Sequence, residues 1–141
     1  MNALDLIKQF EGLELDAYQD CVGVWTIGYG TTRIENRPVQ AGMHISQEKA
    51  EQLALAEIKK LRELITREVK TQLSANQIEA LIDFCYNLGF NAFKQSTMIK
   101  LINQNKIKDA ANEFDRWVYA GGKKLAGLVK RRAAEKSLFL S

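Results

Sequence analysis

The stretch FEGLELDAYQDCVGVWTIGYGTT, residues 10–32, sets β-branched and aromatic residues among glycines at positions 12, 23, 28 and 30. Just before it, Leu4, Ile7 and Phe10 recur at helical spacing and Gly12 follows at once, so residues 2–11 are expected to form a short amphipathic helix closed by glycine. From Leu13 to Tyr29 the composition predicts a small antiparallel hairpin or sheet with QDCVG at its turn. Pro38, the only proline, and Gly42 mark further loop.

The rest of the chain reads as helix. Residues 46–69 carry Leu53, Ala56, Leu61, Leu64 and Ile65 near helical spacing with no glycine or proline, which predicts one long helix. SANQIEALIDFCYNLG, residues 74–89, opens with Ser74 and Gln77 in capping-box spacing, sets Ile78, Leu81, Ile82 and Cys85 on one face, and stops at Gly89. Shorter helices are expected over 96–103, 106–117 and 128–138, separated by NQN and YAGGKK. The expected fold class is therefore α+β. A β-containing lobe of about 13–60 would join, through the long helix, a helical lobe of 70–141 that also takes in helix 2–11, with a cleft between.

At 141 residues the chain is the size of one domain, and nothing in its composition is biased enough to suggest disorder. The 20 Lys plus Arg exceed the 17 Asp plus Glu by only three, yet Lys123, Lys124, Lys130, Arg131, Arg132 and Lys136 crowd the C-terminal end. That crowding suits an anionic partner, or else marks a solvated basic helix face. It brings no zinc ligands or interleaved aromatics, so nucleic acid is not the expected partner. No apolar run approaches the roughly 20 residues of a membrane helix, and MNALDLIKQFEG lacks the pattern of a signal peptide. Synthesis and residence in a cytoplasm are the expectation. Cys21 and Cys85 are expected as free thiols, and with His44 the only histidine neither metal nor cofactor is expected.

Glu11 and Asp20 carry the chemical interest. A carboxyl at a helix C-terminus meets the negative end of the helix dipole, and Phe10 and Leu13 can desolvate it; both influences favour the protonated form a general acid needs. Asp20, in a polar turn beside amide donors, is expected to stay ionised. Thr26 supplies a hydroxyl that could help Asp20 hold a water, and Gly28 and Gly30 would allow backbone and ligand to approach closely. Two carboxyls held in unlike environments are the acid and base pair of glycoside hydrolysis. On residue types alone, Glu11 reads equally as a surface residue at a helix end, and Thr26 as an ordinary strand residue.

Glu11, eight residues, Asp20, five residues and Thr26, followed by IGYG, resembles the Glu/Asp/Thr signature of the phage-type lysozymes, the endolysins of glycoside hydrolase family 24. The likeness runs on through LSANQIEALIDFCYNLG, STMIKLIN and GLVKRRAAEKSLF, so effectively the whole chain is covered. It implies the lysozyme-like α+β fold and hydrolysis of the β-1,4 bond between N-acetylmuramic acid and N-acetylglucosamine in bacterial peptidoglycan. It further implies Glu11 as the acid, Asp20 and Thr26 positioning water with inversion, and no cofactor. Substrate contacts are expected at Gly30 and Thr31 and, as aromatic and polar positions that align near the cleft, at Tyr86 and Ser96; core packing for Tyr86 and helix capping for Ser96 are the competing readings. Where many members carry histidine after the TIGYG strand, this chain has Thr31, so any ion pair made by that histidine is missing. The expected life of the protein is that of a monomer held in the host cytoplasm until a holin-type membrane partner gives it access to the wall. A lytic transglycosylase acting on the same bond, or a non-catalytic wall-binding module, are the alternatives.

Overall fold

A computed structural model describes residues 1–141. Element order is α1 (Ala3–Glu11), β1 (Glu14–Gln19), β2 (Trp25–Gly28), β3 (Arg33–Ile34), β4 (Arg37–Pro38), α2 (Gln47–Glu68), α3 (Ala75–Leu88), α4 (Phe90–Lys94), α5 (Thr97–Asn103), α6 (Ile107–Glu113), a 3-10 turn (Phe114–Arg116), β5 (Tyr119–Ala120), β6 (Lys123–Lys124) and α7 (Ala126–Leu140). Two compact units divide it: Ile7–Glu57, and Met1–Leu6 with Ile58–Ser141. The divisions fall inside α1 and inside α2, so residues 7–11 of the first helix belong with the hairpin rather than with the helices.

In the unit Ile7–Glu57, α1 ends at Glu11 because Gly12 takes a φ of 72°, a left-handed value that stops the helix and turns the chain into β1. β1 and β2 pair antiparallel, with Tyr18 opposite Thr26 and Gln19 opposite Trp25. The register shifts between Glu14 and Tyr18, where β1 also bonds on its other side, through Ala17 N to Met43 O and Ile45 N to Leu15 O. β3 and β4 form a second small hairpin whose turn residues, Glu35 and Asn36, both have positive φ. Pro38, expected in loop, lies instead in this two-residue edge strand, where its missing N–H is tolerated. Ile7, Ile27, Tyr29, Val39, Ala50 and Ala54 form the buried side.

In the other unit, α3 carries a complete capping box: Ser74 Oγ accepts from Gln77 N, and Gln77 Oε1 accepts from Ser74 N. Such a cap contributes about 1 kcal/mol. The helix buries Leu81, Ile82, Phe84 and Cys85, and Phe84 stands edge-on to Phe93, Phe114 and Trp117 at centroid distances of 6.3, 5.6 and 5.4 Å. Trp117, half-buried, closes this aromatic cluster.

Two expectations need correction here. The C-terminal region is not all helix: YAGGKK is the β5–β6 hairpin, made possible by Gly121 and Gly122 at φ 58° and 79°. Nor is the basic end a solvated face throughout. Arg131 and Arg132 are 4% and 1% exposed. Arg131 donates from Nε and Nη2 to both oxygens of Asp83 at 2.9 and 2.8 Å, while Arg132 approaches Glu135 at 2.8 Å and donates to Asn87 at 2.6 Å. This ion network ties α7 to α3. Burial pushes the Cys85 thiol up, with the nearby Glu135 charge adding to it.

Candidate active site

The β1–β2 turn is built by Asp20. Its Oδ1 accepts from Val22 N at 3.0 Å and Val24 N at 2.8 Å, its own N–H donates to Val24 O at 2.9 Å, and its carbonyl accepts from Gly23 N at 3.0 Å. This is an Asx-type turn, the local use for which aspartate is suited. One carboxylate oxygen is thereby occupied by backbone donors and the side chain is fixed in direction.

Thr26 follows on β2 and is 5% exposed. Its hydroxyl donates to Val24 O at 3.0 Å. A hydroxyl has one proton, so this bond leaves Thr26 Oγ1 only its lone pairs to offer any further partner.

Beyond β2 the chain reverses tightly. Ile27 and Thr31 exchange both backbone hydrogen bonds at 2.8 Å, so Gly28, Tyr29 and Gly30 form a three-residue loop that needs φ of 65° at Gly28 and 82° at Gly30. The loop sets Gly30 directly against the end of α1. A methyl group built at position 30 would lie 2.9 Å from Glu11 Oε1 and 3.2 Å from its Cδ. Glycine at this position is therefore what lets the Glu11 carboxyl rest on the loop. Gly28 is different: a Cβ there would meet Ala50 and Ile45, at 3.2 and 3.3 Å, so the close approach it permits is to protein and not to a ligand.

Tyr18 completes the cluster. Opposite Thr26 in register, it has a phenol raised above its ordinary value by partial burial and then by the charges of Glu11, Glu14 and Asp20. The phenol therefore keeps its proton and presents a neutral hydroxyl. In the sequence Tyr18 is only one aromatic in the stretch 10–32; its place opposite Thr26 comes from the strand pairing.

Glu11, Asp20, Thr26, Gly30 and Thr31 thus all fall within Ile7–Glu57. Tyr86 and Ser96 belong to the other unit. Ser96 caps α5, accepting from Ile99 N at 3.2 Å and donating to Phe93 O at 2.6 Å, and is 6% exposed. Its hydroxyl is committed to the helix cap. Tyr86 is half-buried on α3. Cys21 in the turn is an exposed free thiol, and His44 sits 2.7 Å from Asp16 at the surface.

Residues 8–135 match the family model for phage lysozyme. The chain belongs to the phage lysozyme family. An endolysin of Acyrthosiphon pisum secondary endosymbiont phage 1 is 42% identical over 98% of this chain and 94% of its own length. An endolysin of Bacillus phage B103 is 39% identical over 98% of this chain but only 52% of its own, so the chain spans about half the length of that relative. Among solved structures, the endolysin from Escherichia coli O157:H7 phage FAHEc1 superposes with a TM-score of 0.89 at 40% identity, covering 99% of this chain and 90% of that one. The lysozyme-like α+β fold of this family is the fold described above.

Proposed function

We propose that the chain is a lysozyme-type glycoside hydrolase, an endolysin that cleaves the β-1,4 bond between N-acetylmuramic acid and N-acetylglucosamine of bacterial peptidoglycan. One observation carries the reading: the hydrogen-bond polarity around Asp20 and Thr26. An ionised Asp20 can only accept, and Thr26, its proton given to Val24 O, can also only accept. A water between them directs both protons to the protein and leaves its lone pairs facing outward. That orientation suits attack on an anomeric carbon.

Glu11 is the general acid of this scheme. Supported against Gly30, it delivers its proton to the departing glycosidic oxygen as the water adds, and the outcome is inversion without a covalent sugar intermediate. Asp20 accepts the proton released by the water. A transglycosylase would use a sugar hydroxyl in place of water and has no use for two acceptors aimed at one. In this reading the enzyme is a monomer that reaches the wall with the help of a holin-type partner; no helix of the chain is long and apolar enough to cross a membrane.

The test is the mass of muropeptides released from purified peptidoglycan, with Glu11→Gln run beside the wild type. Products ending in reducing N-acetylmuramic acid, with release slowed about 10²- to 10⁴-fold in the variant, are expected. Products one water lighter, ending in the 1,6-anhydro sugar, would replace hydrolysis with transglycosylation. Equal rates for both proteins would remove Glu11 from its role.

A further inference from the structure

The β5–β6 hairpin takes no part in the chemistry above. From Arg116 to Ala134 the chain has six cationic residues and no acid. Arg131 and Arg132 are buried against Asp83, Asn87 and Glu135, and Arg116 pairs with Glu113 at 3.1 Å. Lys123, Lys124 and Lys130 remain, all exposed and none with a carboxylate partner. The hairpin that displays the first two is closed by a two-residue turn with both glycines at positive φ, and by Leu125 N donating to Val118 O at its base. Tyr119 lies directly opposite Lys124 and is 60% exposed. Cross-strand partners share a face with Cβ atoms about 5 Å apart, so an aromatic ring and an ammonium group stand side by side on one side of the ribbon.

We infer that this hairpin is a docking surface for the carboxylate-bearing peptides of the same peptidoglycan, a reading that rests on the proposed hydrolase function. The choice of occupant follows from the residues. A polymer that alternates sugar rings with anionic peptides matches a face that pairs an aromatic ring with a point cation. Phosphate-rich polymers are best held by the planar fork of arginine, and the two arginines nearest the hairpin on α7 are buried. A lipid surface calls for a continuous apolar band, and beside Tyr119 this region exposes only Leu125 and Val129, at 42% and 37%.

The test is co-sedimentation with sacculi stripped of lipid and phosphate polymers, in a Glu11→Gln background so that the wall is not consumed. Replacing Lys123 and Lys124 together by Gln should weaken binding roughly fivefold at low salt and flatten its salt dependence. The same two-charge loss by Lys59→Gln with Lys60→Gln, exposed on α2 among Glu57 and Glu63, should leave binding near the parent value. Amidating the wall carboxylates should bring the parent down to the level of the hairpin variant. In the active enzyme, hydrolysis of an uncharged N-acetylglucosamine oligomer should be the same with and without the hairpin lysines. Unchanged wall binding by the hairpin variant overturns the inference, and so does equal loss in the α2 variant, which would reduce the effect to net charge. Binding present on untreated walls but lost with their phosphate polymers assigns the surface to those polymers instead. Failure of the hydrolase reading is separate: the wild type would then cleave neither wall nor soluble oligomer.

Discussion

Two groups of carboxylates in this chain live under opposite conditions. Glu11 and Asp20 are half-exposed; the Glu11 carboxyl lies close against Gly30, and Asp20 accepts from the N–H groups of a turn. Asp83 and Glu135 have no exposed surface and are held by arginines. Perturbed ionisation is a guide to functional sites, and by that guide Glu135 stands out. Burial, then its hydrogen bond to Asp83, pushes it well above the usual carboxylate range against the pull of Arg132 and Arg131. No substrate can reach it. An acid does chemistry only where a reacting atom can arrive, so access and hydrogen-bond direction identify the site better than the size of a shift.

Substitutions can break this contrast. The largest effect on activity after loss of Glu11 itself is expected from Gly30→Ala. The new methyl displaces the Glu11 carboxyl, and turnover on peptidoglycan should fall about 10²-fold. The strained φ should cost about 1–2 kcal/mol in a thermal melt. Wild-type turnover would show that Glu11 does not depend on the loop.

Asp83→Ala should do the reverse. It leaves Arg131 buried without the carboxylate that accepts from its Nε and Nη2, and stability should drop by about 3–5 kcal/mol. The melting temperature then falls on the order of 10 °C. Activity per folded molecule should stay near wild type at a permissive temperature. A large loss of turnover without loss of stability would erase the distinction between the two groups.

The pH response sharpens it further. Because Glu135 is raised in the folded state, its contribution to stability is complete below the ordinary carboxylate value of 4.5 and is lost as pH rises through the raised value. Urea midpoints followed upward from pH 4 should therefore show a decline that Glu135→Gln flattens. An unchanged slope in that variant would place the decline elsewhere.

The smallest effect belongs to Tyr18. Part of its raised ionisation comes from the charge of Glu11, so Glu11→Gln should move the Tyr18 phenol titration downward, measured by NMR of a labelled ring carbon. No movement would mean that Glu11 does not act on Tyr18 as a charge.

How much of this was legible in the sequence depended on how local the cause was. The Ser74–Gln77 capping box, the glycine after Glu11 and the QDCVG turn each act within a few residues, and each element they mark is present. The local placement of Glu11, Asp20 and Thr26 was legible for the same reason, since one hairpin carries two of them and the helix before it the third. The support of Glu11 by Gly30 was not, because it is made by tertiary closure between residues far apart in the chain. Arg131 and Arg132 read as surface charge because composition says nothing about burial. Their spacing of four and three residues from Glu135 was the available clue. The β5–β6 hairpin escaped notice because two-residue strands show no alternation, although Gly121-Gly122 is a strong turn signal. Helix α4, five residues long, was below the length at which periodicity can speak.

One oxygen of Asp20 holds the hairpin turn closed while the same carboxylate is assigned to the water. Shape and reactivity at position 20 are therefore separable only by a substitution that keeps the oxygen and discards the charge. Asparagine does so and alanine does not. A variant library selected for stability alone would enrich Asp and Asn here without ever sampling activity. Position 20 is therefore constrained for two unrelated reasons, and only a screen that reads folding and turnover separately could tell them apart.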